Sequence, residues 1–186
     1  KGNCIQVTGG MYLAGSDLIP TCNSLLATVT LPAWWVLNRQ EDRVMVITSS
    51  DKFAGDFGSK SRDAVRDAVG IFDGVRIRHD TDAKNHWELL GHEGSYNAMG
   101  IEGQIFGKGA ELIVGDDIIR SPDQALSKTQ RDKAWDRWIS VVESRANPQT
   151  KFCCIGTRWH ADDLIGRVER EIGRGLRPNW EVIRLP

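Results

Sequence analysis

The chain has 186 residues, a formal net charge of −1, 40% apolar residues, seven tryptophans and only six prolines. That length holds one domain with a substantial core, and the composition argues for packing rather than disorder. The near-zero charge excludes a global basic footprint for nucleic acid, leaving only a local patch. No run of about 18 apolar residues occurs, so no membrane span is expected.

The start, KGNCIQVTGG, lacks the basic–apolar–small pattern of a secretory signal. The four cysteines form no CxxC pair and no framework, which reads as reduced thiols in a cytosol-like compartment. Arg43–Ser50, RVMVITSS, is a short β-branched run expected to form a buried strand. Asp51–Gly70 then reads as a helix, with Asp51 as its cap and Phe53, Phe57, Ala64 and Ala68 near one stripe; Gly55 and Gly58 weaken its first half.

AELIVGDD is expected as a second buried strand, followed by a turn at Ser121-Pro122-Asp123. Lys128–Arg145 reads as one amphipathic helix with Ala134, Trp138, Val141 and Val142 inward. KFCCIGT is a third strand, ADDLIGRVEREIG a third helix and NWEVIRLP a last strand. Strands alternating with helices predict an α/β fold, a mainly parallel sheet flanked by helices on both faces. Ligands in such sheets lie at the carboxyl ends of the strands, where Ser49–Ser50, Asp116–Asp117 and Thr157–Arg158 fall.

An apolar strand ending in two acids is how a nucleotide hydrolase holds a metal: the first carboxylate faces Mg²⁺ and the second orients or deprotonates water. The same pair also caps a turn in many proteins. His160 with Asp162 and Asp163 admits a metal site too, although Asp162 as a helix cap and Trp159 as packing is the simpler account.

Three segments sharpen the choice: LPAWW, GIEGQIFGKGAELIVGDD and GTRWHADDLIGR. From about Pro32 onward the chain resembles the ATPase domain of the large terminase subunit of tailed bacteriophages, the motor that drives DNA into procapsids. The resemblance implies a three-layer P-loop NTPase core of the RecA-like (ASCE) type over residues 1–186, with ATP and Mg²⁺ as cofactors. It implies Asp116 as the Walker B magnesium carboxylate, Asp117 as the acid that activates water, and Gly156, Thr157 and Arg158 as the segment that senses the γ-phosphate. Thr157 is equally read as a strand-end hydroxyl satisfying local backbone. Double-stranded DNA, a small terminase subunit, a portal protein, a homo-oligomeric ring and the host cytoplasm are implied as surroundings. The family continues into a nuclease domain, so 1–186 is expected to be a fragment without DNA cleavage. Two rivals are a metal-dependent phosphodiesterase using Asp116, Asp117, His160 and Asp163, and a non-catalytic nucleotide-binding or assembly module.

The chain departs from the family pattern in its phosphate-binding loop, at Lys108 before the Walker B strand, and at Ile118, where the family often has proline. The phosphate-binding loop aligns with SDLIPTCNSLL, where Ser24 matches the hydroxyl that helps hold Mg²⁺, Asn23 replaces lysine and Cys22 replaces the last glycine. No Lys, Arg or His occurs between Lys1 and Arg39, and Asp17 adds negative charge. One lost charge contact at about 4 Å is worth roughly 1 to 4 kcal/mol, or about one to three decades of affinity. Lys52, Lys60 or a neighbouring subunit are candidate replacements. Lys108 stands where the family has an arginine before the Walker B strand, a candidate trans-acting finger; lysine lacks the planar fork for that task. The basic residues considered for DNA backbone are Lys60, Arg62, Arg66, Arg76, Arg78, Arg167, Arg170, Arg174 and Arg177, with a solvated charged face as the plainer reading.

Overall fold

The computed structural model describes residues 2–7, 11–14, 19–22, 24–72, 74–103 and 109–185. In chain order these form β1 (Gly2–Val7), β2 (Met11–Ala14), β3 (Ile19–Cys22), a wide helical turn at Leu25–Thr30 running into α1 (Leu31–Asn38), and β4 (Arg43–Thr48). Then come α2 (Asp51–Asp67), β5 (Ile77–Asp82), β6 (His86–Leu89), β7 (Ser95–Gly100) and β8 (Ala110–Asp116). The rest is α3 (Pro122–Leu126), α4 (Lys128–Arg137), β9 (Ala146–Ile155), α5 (Leu164–Gly173) and β10 (Trp180–Leu185).

One sheet carries the strands in the order β10-β1-β9-β8-β4-β7-β6-β5, while β2 and β3 pair as a separate hairpin. The neighbours from β10 across to β7 are all parallel; β6 and β5 add antiparallel at the far edge. Strands β4 and β8 are buried almost throughout, as expected of continuous apolar runs in a sheet covered on both faces. Alternate residues feed two cores. Val44 and Val46, with Leu112 and Val114, pack against Val36 of α1 and Ala54 and Val65 of α2. Met45 and Ile47, with Ile113, pack under Trp138, Leu164 and Val168. The three-layer α/β architecture anticipated from the sequence is therefore present. Among the described residues no helix is long and apolar enough to cross a membrane.

Local details differ from expectation for identifiable reasons. The cap of α2 is Ser50, whose hydroxyl accepts from Phe53 N–H; Asp51 instead accepts from the Gly100 N–H at 2.8 Å, tying the helix start to β7. The buried stripe of α2 is Ala54, Gly58, Ser61 and Val65, leaving Phe53 exposed. Gly58 does not break the helix: it allows close approach to the main chain at Lys84, whose carbonyl a Cβ would strike. Ser121 and Pro122 open α3, not a plain turn, with the Ser121 hydroxyl accepting from Gln124 N–H.

The single helix expected over Lys128–Arg145 is α4 followed by a wider turn at Trp138–Val142 and a tighter one at Glu143–Arg145. Its inward residues, Ala134, Trp138 and Val142, are buried as the periodicity indicates. The cap of α5 is Asp163, one residue beyond the expected Asp162: its carboxylate accepts from Gly166 N–H at 2.8 Å. Strands β5, β6 and β7 have no counterpart in the sequence reading. They are short, and β5 buries only Ile77, so no sustained alternation announces them; the stacked rings of Trp87 and Tyr96, 5.0 Å apart, join β6 to β7.

Candidate active site

The parallel register sets Thr48 opposite Asp116 on one side and Ile155 opposite Asp116 on the other, so the carboxyl ends of β4, β8 and β9 meet at one edge. Asp116 closes β8 and is only 3% exposed. The Ser24 hydroxyl, at the start of the helical segment leading to α1, donates to Asp116 Oδ1 at 3.1 Å across 92 residues of sequence. Burial, and then the charge of Asp117, push the Asp116 carboxyl up to about 7, with the Ser24 hydrogen bond acting the other way.

Asp117 leaves the strand with φ of +42°, a left-handed conformation that costs a non-glycine residue strain. Two bonds hold it there. Its N–H donates to the Ile155 carbonyl at 3.2 Å, and its Oδ1 accepts from Thr157 N–H at 3.0 Å. Burial raises its carboxyl, and the Thr157 bond partly offsets this. Gly156 leaves room between them: a Cβ there would lie 3.2 Å from Asp117 Oδ1 and 3.1 Å from Ile165 Cδ1, so either side chain would have to give.

A cleft of about 360 Å³ opens at this edge, bounded by Ser24, Thr48, Ser49, Asp116, Asp117 and Arg120, with Phe53 and Phe57 as a wall. Sequence reasoning missed Arg120, Phe53 and Thr48. The first two are delivered by the bend after Asp117 and by the start of α2, which periodicity does not report.

The anticipated residues are only partly gathered here. Ser24, Asp116 and Asp117 converge, and Thr157 joins them through its backbone. Arg158 does not line the cleft; its guanidinium pairs with Asp163 at 3.0 Å and with Glu169 on α5. Asn23, Lys108 and Asp17 lie outside the described residues. Of the stretch aligned with a phosphate loop, Ile19–Cys22 is a hairpin strand, Cys22 pairing with Met11. A loop of the Gly-x₄-Gly-Lys kind joins strand to helix directly, whereas here a hairpin intervenes between Val7 and Ser24.

The histidine–aspartate alternative is not assembled. His160 Nδ1 accepts from Asp162 N–H at 2.9 Å, and Asp163 is occupied by the N–H groups of Trp159, His160 and Gly166. Among the described residues no three His, Cys, Asp or Glu side chains converge as a metal-holding group. Asp162 serves instead as the hub for Arg131, Arg167 and Arg170, which hold its carboxyl well below the usual range. Most basic residues considered for DNA are likewise ion-paired: Arg62 and Arg66 to Asp82, Arg78 to Glu88 and Asp80, Arg177 to Glu143 and Glu171. Cys153 and Cys154 are buried thiols, and burial raises Cys153 to about 11.

Comparison with known proteins adds the fold's relatives. No family model matches the chain, and no curated protein matches it either. Among solved structures, the large terminase of bacteriophage HK97 superposes over 96% of this chain with a TM-score of 0.62 at 15% identity. Over this span the chain has the fold of the matching part of that terminase. The chain spans 34% of the length of that terminase. The N-terminal domain of the DNA packaging ATPase from bacteriophage phi29 overlaps more loosely, with a TM-score of 0.42 and 12% identity over 83% of this chain and 72% of that one. In this α/β fold, the paired acids lie at the sheet edge where ligands of parallel α/β proteins sit.

The raised carboxyl of Asp116 has a measurable consequence for the metal-free protein. Its folded pKa, about 7, stands above the ordinary 3.8, so the folded chain holds the proton more tightly than the unfolded one. The stability this contributes in acid is lost as pH rises through that window. Replacing Asp116 with Asn is expected to flatten the pH dependence between about pH 4 and 7 and to stabilise the protein at pH 8, by up to about 4 kcal/mol. Urea melts in chelator at several pH values check this; equal pH slopes for wild type and variant count against it.

Proposed function

We propose that this domain is the ATP-hydrolysing motor portion of a terminase large subunit, moving double-stranded viral DNA into procapsids. The observation that carries the reading is the hydrogen bond from Ser24 to Asp116 beside a second, strained carboxylate. A hydroxyl at a helix start and an acid at a strand end are the two side chains with which P-loop enzymes hold magnesium. Among the described residues these two would hold the ion, which suits Mg²⁺: it keeps most of its ligands as water and phosphate oxygens. When bound, Mg²⁺ neutralises charge on the β- and γ-phosphates. Asp116 is buried, and burial with the neighbouring charge of Asp117 pushes its carboxyl up to about 7.

Asp117 is the base that orients the attacking water and accepts its proton, held in place by Thr157 N–H and the Ile155 carbonyl. The peptide N–H groups that open the helix at Ser24 favour an anion in front of them. Thr157 links Asp117 to the loop that Arg158 anchors on α5 through Asp163 and Glu169. A change at Asp117 on hydrolysis therefore reaches α5. In this reading residues 1–186 are one ATPase domain, the ring of copies acts with a portal protein and a small terminase subunit in the host cytoplasm, and DNA cleavage belongs to a separate nuclease domain. A catalytically impaired assembly module is the alternative, favoured by one observation: the segment before Ser24 has no lysine next to it and carries a hairpin.

The test is a graft. Replacing residues 17–23 with Gly-x₄-Gly-Lys places a phosphate cradle directly before Ser24. Calorimetry with a slowly hydrolysed ATP analogue and Mg²⁺ should then show affinity rising by about one to three decades, and Asp116→Asn should cancel the magnesium dependence. If neither wild type nor graft binds nucleotide in a magnesium-dependent way, the motor reading is lost.

A further inference from the structure

Arg120 lines the cleft that holds the acid pair. It follows the acid pair at the bend leaving β8, with its N–H donating to Gln124 Oε1 at 3.3 Å. Its guanidinium lies over the ring of Phe53, 5.5 Å from the centroid, and Phe53 stacks on Phe57 at 6.5 Å. Both rings belong to the first turns of α2 and wall the cleft that holds Ser24, Asp116 and Asp117. Arg43, Arg62, Arg78, Arg158 and Arg167 are each joined to carboxylates. Among the described residues no carboxylate pairs with Arg120, and it is the one cation lining the cleft.

An exposed guanidinium on an aromatic shelf keeps its donors free while its face is covered, so it is directed without being neutralised. The cleft's own charges make the need plain. Two carboxylates repel a polyphosphate, and no Lys, Arg or His occurs between Lys1 and Arg39 to offset them from the Ser24 side. A planar fork suits phosphate oxygens, which it engages through paired N–H donors.

We propose that Arg120 is the cation, supplied by the same chain, that binds the terminal phosphoryl oxygens of the nucleotide, with Phe53 as the positioning residue that aims it. The proposal rests on the ATP-binding reading above and adds the contact that distinguishes a triphosphate from a diphosphate. Asp117 and Arg120 share the cleft, so the group that activates water and the group that receives negative charge act on the same phosphoryl.

The experiment compares the wild-type chain with Arg120→Ala, Arg120→Lys and Phe53→Leu by calorimetry against Mg²⁺ with ATPγS and with ADP. Arg120→Ala should weaken ATPγS binding about 10- to 100-fold while changing ADP binding less than about twofold, with Arg120→Lys intermediate. Phe53→Leu should lower the ATPγS preference while leaving ADP binding alone. Equal losses for both nucleotides, or no loss, overturn the role of Arg120 and leave the ATPase reading intact. No magnesium-dependent nucleotide binding by the wild type overturns the Arg120 contact, and the ATPase reading falls with it only if the Gly-x₄-Gly-Lys graft fails to bind as well. Thermal melts separate a misfolded variant from a true loss, and the lysine variant keeps the charge if alanine perturbs the bend.

Discussion

Asp117→Asn is expected to lower ATP turnover by about 10²- to 10⁴-fold, the range of a lost general base, with nucleotide affinity nearly unchanged. The substitution suits this position. Asparagine tolerates the left-handed backbone better than most residues, so φ of +42° is kept without added strain. Its amide oxygen still accepts from Thr157 N–H, so the loop after β9 stays where it is. What disappears is the capacity to take a proton from water. Steady-state phosphate release by the full-length protein assembled with procapsids measures the effect. Turnover above about a tenth of wild type would remove Asp117 from the chemistry. Asp117→Ala is a poorer probe, because it loses the Thr157 bond and adds backbone strain at once.

The largest effect on stability is expected from Trp138→Ala. Trp138 is fully buried, and its six-membered ring lies over Gly115, where a Cβ would approach Cζ3 to 2.8 Å and Cη2 to 2.9 Å. Its Nε1–H donates to Glu143 at 2.6 Å, and it meets Phe152 with ring centroids 6.2 Å apart. Truncation removes the ring from one core, leaves a cavity and abandons the Glu143 carboxylate. The expected cost is about 3–5 kcal/mol, or about 6–20 °C in Tm for a chain of this size. Because Gly115 leads directly into Asp116, magnesium-dependent nucleotide binding should fall as well. Trp138→Phe, which keeps most of the volume, should cost less than half as much. A urea midpoint for Trp138→Ala within about 1 kcal/mol of wild type would show that the ring is not what braces this end of β8.

The parts of this fold legible in the sequence are those whose environment is uniform. RVMVIT, ELIVGD and KFCCI are read as strands because both faces of each are covered, so apolar character persists without alternation. IRHDTD and HWEL are not, since the edge strand IRHDTD buries only Ile77 and the alternation of HWEL runs for only four residues. Capping residues were displaced by one position at both Asp51 and Asp162, where adjacent polar residues compete and only backbone geometry decides. In the site, Asp116 and Asp117 stand out in the sequence as two acids closing an apolar strand, while Ser24 is reached only through the family resemblance; the structure sets its hydroxyl against Asp116. Arg120 and Phe53 were not legible, because their meeting depends on a bend and a helix start far apart in sequence. Arg158 was drawn to α5 by Asp163 and Glu169, partners that no local pattern reveals.

The strand order also bears on how the domain folds. β1 has both of its sheet neighbours, β9 and β10, far later in the sequence. Its pairing is a long-range closure, slow and open to mispairing. The half of the sheet built from β4, β7 and β8 can consolidate first, and β1 then enters a slot that exists only once β9 and β10 are in place.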